Sequence, residues 1–580
     1  MSKLFVTNNK ILFEKTKSVI EDSVFKVSFE YNSNNLFVLS TQKLQVEGMN
    51  YYQSRNGFIV QTGTMVCKLC DFSNRLEYIY DRFDGNVKNI RNLMYGNYAV
   101  IIYKDNMLYC FTETTACYDL FYTHDDSSWF ISNSLYDITK IFGSRLSINR
   151  LNVLEEVARY MILNNETYFD GVYRLDGFEY LKIDSVALNL VTLNYEVKHY
   201  SLSDLDNNIE TLVKELKCVS KTMTANLGNP TLGATGGLDS RISLASYLSV
   251  GARPLLTYGF GNSFLAPSKE GDIEVDKMFT KKFNLDFDLK SWNETVPLDK
   301  NWIEYTQKYG YVVYSGCEDA YKFYTNKKQS FVIFGYMGEF FREFDWLKNI
   351  EGDYVALSQY INKFHIEPNA GIFVNFPELY NHVYKKWEKL CMKRGLNPNK
   401  IQKEDLFWIN LEYRHRADSV MLNFLNLFKY SHYLLSEYTV LSNSYVPIAK
   451  KFNAEYMLRI LNELCPEVLD IPIFSHCQFQ LFDSANLCLK TMPIPLVKRL
   501  KGLVPMPIKN VLKKHGIYRN KAQDIYGPVY DLLSKDDNED KIKRLFKIGD
   551  LSFIKTNPDP MFVVSAIYIV KTLENSGLKI

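Results

Sequence analysis

The segment Gly233-Ala-Thr-Gly-Gly-Leu-Asp-Ser-Arg241 gathers the residue types that handle phosphate. It lies where an expected buried strand ends and an expected helix begins, which predicts a strand-to-helix turn. Gly236 and Gly237 let the backbone approach a ligand closely. The helix start behind them offers unpaired N–H groups and the positive end of a dipole. Thr235 and Ser240 add hydroxyl donors, and Asp239 suits a cation that bridges phosphate oxygens. The predicted phosphate-binding set is therefore Thr235, Gly236, Gly237, Leu238, Asp239 and Ser240. A bare Gly-Gly would read as a turn that only joins strand to helix; hydroxyl, Gly-Gly, acid and hydroxyl in one turn favour a ligand. No GxxxxGK[ST] occurs here, so this is not the loop of a P-loop kinase or GTPase.

The surrounding sequence sets the elements that must hold this turn. From Thr231 the rhythm is strand, Gly-rich turn, helix, strand, which predicts a parallel sheet with crossover helices. Strands are expected at Thr231–Thr235, Pro254–Tyr258 and Ser330–Phe334, with helices at Asp239–Leu248 and Asp272–Phe283. The first 140 or so residues instead alternate short β-branched and aromatic runs with turn signals, as at Leu36–Leu39, Tyr98–Tyr103 and Trp129–Ser132. An amphipathic helix is expected over Leu151–Leu163, a strand near Phe178–Ile183 and a helix over Leu205–Lys221. The change of rhythm puts a domain boundary near Tyr195, giving units 1–195 and 196–580. Beyond Asp405 the pattern is mainly helical, strongest at Leu406–Phe428 and Ala454–Cys465. The expected class is α/β: a β-rich α+β sandwich, then a doubly wound parallel sheet with a helical C-terminal part.

Composition bounds the function. A chain of 580 residues with 46% hydrophobic and 23% charged residues is too long for one core and too apolar for disorder. Sixty-eight Lys and Arg balance sixty-six Asp and Glu, so no chain-wide field argues for nucleic acid or an anionic membrane. No apolar run approaches the roughly 18 residues that span a bilayer, and a cytoplasmic protein is expected. The ten cysteines are too scattered for a disulfide framework. Cys67 and Cys70 have zinc-knuckle spacing but no second pair follows, and the eight histidines form no HExxH, with His415 alone between two arginines. The basic run Lys498–Lys514 is broken by Pro505 and Pro507 and reads as a solvated face.

With Thr235 in the place of a serine, the turn closely resembles the SGGxDS pyrophosphate loop of the N-type ATP pyrophosphatases. Gly96–Tyr103, Tyr118–Thr123 and Phe130–Ser134 resemble the Ntn-type amidotransferase domain of glutamine-dependent asparagine synthetases. Thr167–Gly177 looks like the connecting segment of that family, and Phe334-Gly-Tyr-Met-Gly-Glu339 resembles its second loop of glycines and acids. The resemblance spans nearly the whole chain and is strict only at the pyrophosphate loop. It implies an Ntn-like sandwich in 1–195 and an asparagine synthetase-like ATP pyrophosphatase domain in 196–580, with ATP and Mg2+ as cofactors. By the same resemblance Gly233 and Tyr258 supply adenine contacts from strand-end backbone, and Asp239 and Glu339 hold magnesium. Arg342, one helical turn beyond Glu339, is equally suited to neutralising substrate or phosphate charge and to an ordinary surface position.

Departures from the family matter as much. Its glutaminase nucleophile is a cysteine exposed by removal of the initiator Met, where this chain has Ser2, and its Arg-Asp pair is replaced at Thr114-Thr-Ala116. An inactive N-terminal scaffold is expected. In the second loop Tyr336 and Phe340 stand where the family carries its first and third acids. The family's late-domain lysine has no counterpart: Cys465–His476 contains none, Lys490 lacks a supporting motif, and Arg414 and Arg416 are equally suited to the cleft or to solvent. The resemblance implies an AMP-forming carbon–nitrogen ligase that adenylates a small-molecule, sugar or peptide carboxylate and passes it to an amine. A nucleotide-binding pseudoenzyme or assembly factor, and an ammonia-dependent asparagine synthetase, are the alternatives. No nucleic-acid or membrane partner is expected, and a homodimer remains an option.

Overall fold

The computed structural model describes residues 3–33, 35–159, 161–184, 187–195, 197–261, 270–292, 330–342, 347, 349–367, 370–417, 419–475, 478–492, 537–547, 566–567, 569–571 and 573–574. The chain is a mixed α/β protein with antiparallel sheets first and a parallel sheet later.

Two six-stranded antiparallel sheets occupy the first 192 residues. One contains Leu4–Thr7 between Trp129–Ser132 and Leu36–Thr41; the other has Tyr98–Lys104 between Gly57–Gly63 and Met107–Thr112. Successive side chains leave a strand on opposite faces, and both faces here are covered. Leu4, Val6, Val38 and Ile131 of the first sheet share a core with Phe58, Val60, Ile101 and Cys110 of the second. The alternate residues Phe5, Phe37, Leu39 and Phe130 pack on helices Lys10–Glu21, Leu135–Phe142 and Arg150–Arg159. On the far side Ile59, Val100, Ile102 and Phe111 pack on helices Arg75–Arg82 and Val87–Arg91. Burial on both faces explains why these strands read as continuous apolar runs.

The parallel sheet aligns Phe287–Trp292, Leu255–Gly261, Thr231–Gly233, Phe331–Phe334 and Tyr430–Tyr433, in that spatial order. All four pairings are parallel. In chain order the strands lie 3-2-1-4-5, so strand order reverses direction between Thr231–Gly233 and Phe331–Phe334. At such a switch the loops leaving neighbouring strands diverge and open a crevice at the carboxyl ends. The long helix Leu205–Leu227 packs on helices Leu238–Leu248 and Glu455–Leu464. Its buried residues Leu205, Ile209, Leu212, Leu216, Val219 and Met223 recur every three or four positions.

Three predicted helices differ in extent, and the one expected over Leu205–Lys221 continues to Leu227 before Gly228 ends it. The helix expected over Leu151–Leu163 is Arg150–Arg159; the apolar residues that continue its period, Met161 to Leu163, are buried as loop, and the Leu163 amide donates to Glu155. Leu406–Phe428 forms two helices, Leu406–Ala417 and Ser419–Leu425. The second is held by the N-terminal half, where Thr64 Oγ1 donates to Asn426 and Asn423 Nδ2 donates to the Cys117 carbonyl. That tertiary grip has no trace in local periodicity. Among the described residues no helix is long and apolar enough to cross a membrane.

Candidate functional site

The predicted phosphate turn sits at the switch point. Strand Thr231–Gly233 ends between the partners Thr257 and Phe334, and helix Leu238–Leu248 begins after Gly237, which has extended backbone and no side chain to cap the helix. The helix start is thus left for a ligand or solvent to complete. Ser240 shapes the turn: its hydroxyl donates to the Thr235 carbonyl at 3.0 Å and accepts the Thr235 amide at 3.1 Å. The Thr235 and Ser240 hydroxyls are 2.9 Å apart, so the two predicted phosphate donors hold each other. The Gly236 amide donates to Asp272 Oδ1 at 2.7 Å, and its carbonyl accepts from the Phe474 amide at 2.9 Å.

The second loop, leaving strand Phe331–Phe334, is pressed onto the first turn of the Leu238 helix. A Cβ on Gly335 would lie 2.4 Å from the Ser240 nitrogen, and one on Gly338 would lie 2.2 Å from Asp239 Cγ. Met337 between them is left-handed at φ +74°, a conformation costly for a residue with a side chain, and it is fully buried. This packing brings Glu339 to Asp239. Arg342 Nη2 lies 3.2 Å from Asp239 Oδ2 and 3.8 Å from Glu339 Oε1, so two loops a hundred residues apart share one cation. Tyr336 is 39% exposed with its ring 4.9 Å from that of Tyr433, whereas Phe340 is buried against Phe407. Of the two positions where the resembled family carries acids, one here is an open aromatic and the other is core.

A layer behind the turn comes from residues that sequence reasoning left without a role. Asp272, on helix Glu270–Phe283, also accepts the Tyr258 hydroxyl at 3.0 Å, so this buried tyrosine side chain is committed to shaping the turn. Arg241 is buried in the first turns of its helix and donates to the carbonyls of Val468, Ile471, Pro472 and Gly236. It fastens the segment that carries Phe474 over the turn, and burial pulls it down to about 9 against the opposing pull of Asp276. Asp276 is fully buried, one helical turn after Asp272, and neither carboxylate oxygen has a hydrogen-bond partner among the described residues. Burial, reinforced by the charge of Asp272 and opposed by Arg241, pushes its carboxyl up to about 8. The same helix carries a second pair of acids four apart, Glu270 and Glu274, so local spacing does not single out Asp272 and Asp276.

Ser2 and the basic run Lys498–Lys514 lie outside the described residues, as do the side chains of Arg414, His415 and Arg416. Around the start of the first strand the polar groups serve one another. The Leu4 amide donates to Asn133, whose Nδ2 donates to Thr62 and to the Tyr118 hydroxyl, and Thr62 and Tyr118 are 2.6 Å apart. Thr114, Thr115 and Ala116 are buried. Lys490 is exposed and paired with Asp483 across a hairpin. Burial, with Cys67 beside it, pushes the Cys70 thiol up to about 12, which keeps it protonated. Among the described residues no group of three or more His, Cys, Asp and Glu is placed to hold a metal.

No protein-family model matches the sequence. No curated protein matches it either. Among solved structures, the chain is similar to the glutamine phosphoribosylpyrophosphate amidotransferase of B. subtilis complexed with ADP and GMP, at 9% identity and a TM-score of 0.22, over 50% of this chain and 65% of that one. A structure described as the allosteric regulatory enzyme of purine biosynthesis gives 9% identity and a TM-score of 0.24, over 51% of this chain and 81% of that one. The chain thus spans just under two thirds of the first of these proteins.

Proposed function

We propose that the switch-point crevice binds ATP with Mg2+ and activates a carboxylate by adenylation, releasing pyrophosphate and then forming an amide. One observation carries this reading: Asp239 on the first loop and Glu339 on the second converge on a single cation beside an uncapped helix start. Both carboxylates fit a divalent ion, because magnesium is commonly held by one or two carboxylates while phosphate and water fill its other positions. When bound, the ion neutralises triphosphate charge that would otherwise repel a carboxylate anion. In this reading the Thr235–Ser240 turn and the helix start hold the β- and γ-phosphates, and strand-end backbone at Gly233 and Tyr258 meets the adenine. The substrate carboxylate oxygen bonds to the α-phosphorus as the bond to pyrophosphate breaks. An amine then attacks the acyl carbon, AMP departs with the bonding pair, and the amine proton passes to solvent or a nearby base.

The unit 1–195 serves as an Ntn-like scaffold without glutaminase activity, and the buried Thr62, Tyr118 and Asn133 network supports that assignment. The amine is then taken directly from a small molecule, a sugar or a peptide, or as ammonia. A nucleotide-binding pseudoenzyme is the second reading, favoured by the exposed, Asp483-paired Lys490 and by Tyr336 and Phe340 in place of acids. Exchange of labelled pyrophosphate into ATP, run across a panel of carboxylates, separates the two. Exchange well above background with at least one acid is expected of the ligase; ATP binding with no exchange for any acid would establish the pseudoenzyme.

A further inference from the structure

The crevice in this structure is neutralised by its own side chains. Arg342 lies across the carboxylates of Asp239 and Glu339, and on the other side of the turn the carboxylate of Asp272 takes the Gly236 amide. An internal cation therefore stands where the carboxylates would hold a divalent ion, and an internal anion stands on a backbone donor of the phosphate turn. The two carboxylates are partly buried, at 25% and 22% exposure, so a cation lying across both is favoured by their like charges. The arginine side chain is 45% exposed and follows the short helical turn Gly338–Phe341, so rotation of its own flexible stem can carry it away.

We propose that Arg342 is an exchangeable internal cation: it holds the place between Asp239 and Glu339 until a metal–nucleotide complex arrives, then passes to the phosphate oxygens. This rests on the ATP reading above and specifies how that site is regulated. A divalent ion arriving alone must displace the guanidinium and gains only two carboxylates in return. Arriving with a triphosphate, it brings its own oxygen ligands and gives the displaced guanidinium a new anionic partner, for which a planar fork of N–H donors is well suited. The protein should then take up metal together with nucleotide and bind it poorly alone.

Titration of the full chain with Mn2+ alone, followed by electron paramagnetic resonance of the free ion, tests this. R342Q is expected to bind Mn2+ about tenfold more tightly than the wild type, on the scale of losing one partly exposed ion pair and its repulsion. R342K, which keeps the charge, is expected to stay near the wild type. Equal affinities for wild type and R342Q, weaker binding by R342Q, or no measurable binding by R342Q would each overturn the proposal. A parallel titration with Mn2+ and ATP keeps the two claims apart. Tight uptake of the complex by both proteins with no difference for the ion alone removes the exchange role and leaves ATP binding. The Mn2+ difference without any ATP binding leaves Arg342 as a competitor for the ion and overturns its transfer to phosphate.

Discussion

Replacing Gly335 with alanine is expected to abolish nucleotide binding and to lower the unfolding free energy by about 3 kcal/mol. The new methyl group would lie 2.4 Å from the Ser240 nitrogen, 2.6 Å from its Cα and 2.7 Å from the Asp239 carbonyl carbon. All three are backbone atoms of the helix that opens the phosphate turn, so no side chain can rotate away. Either strand Phe331–Phe334 or the first turn of the helix must shift, and either shift separates Glu339 from Asp239. Gly237 is the control, because a Cβ there meets nothing nearer than Thr235 Oγ1 at 3.5 Å and its backbone is extended. Gly237→Ala should cost about 1 kcal/mol at most, as expected for an N-cap change. Chemical denaturation and ATP titration of both variants check this, and unaltered ATP affinity in Gly335→Ala would contradict the interlocked-loop geometry.

Replacing Asp276 with asparagine is expected to change how stability depends on pH. In the unfolded chain this carboxyl ionises near 3.8, whereas in the folded protein it ionises near 8. Between those values the unfolded chain has released a proton that the folded protein retains, so each rise in pH favours unfolding. Above pH 8 both forms are ionised and the cost is constant and at its largest. The variant lacks this linkage, so its stability relative to the wild type should grow by up to about 1.4 kcal/mol per pH unit between roughly pH 4 and pH 8. The slope is the readout, because the new amide also needs partners that the carboxyl lacked. Denaturation midpoints at several pH values decide it; parallel curves would show that Asp276 is not held protonated by its burial beside Asp272.

The chemistry visible in the sequence is the chemistry that is contiguous. Thr235 to Ser240 lie within six residues, so their residue types and spacing can be read together, even though the strand before them is only Thr231–Gly233 and the helix after them is buried on every side from Ser240 to Tyr247. Strand Trp129–Ser132 and helix Leu238–Leu248 are legible for the same reason: the turn residues beside them agree with their own pattern. What escapes the sequence is assembled from afar. Asp272 reaches Gly236 across 36 positions, and Arg241 binds carbonyls some 230 positions on. Buried Arg and Asp residues also carry no periodic signature, since in a sequence they look like the polar side of a helix. Arg342 was legible as a charge near the site, but its position between two carboxylates depends on Gly335 and Gly338 admitting the helix start.

The proposed grip of this turn on the phosphates of a metal-bound nucleotide runs through Asp239. Calorimetric titration of Mg2+ and ATP into the wild type and into Asp239→Asn tests it most directly. Saturable binding by the wild type, weakened at least about tenfold in the variant, is the predicted result. Equal affinity in the two proteins, or no binding by the wild type, would contradict it.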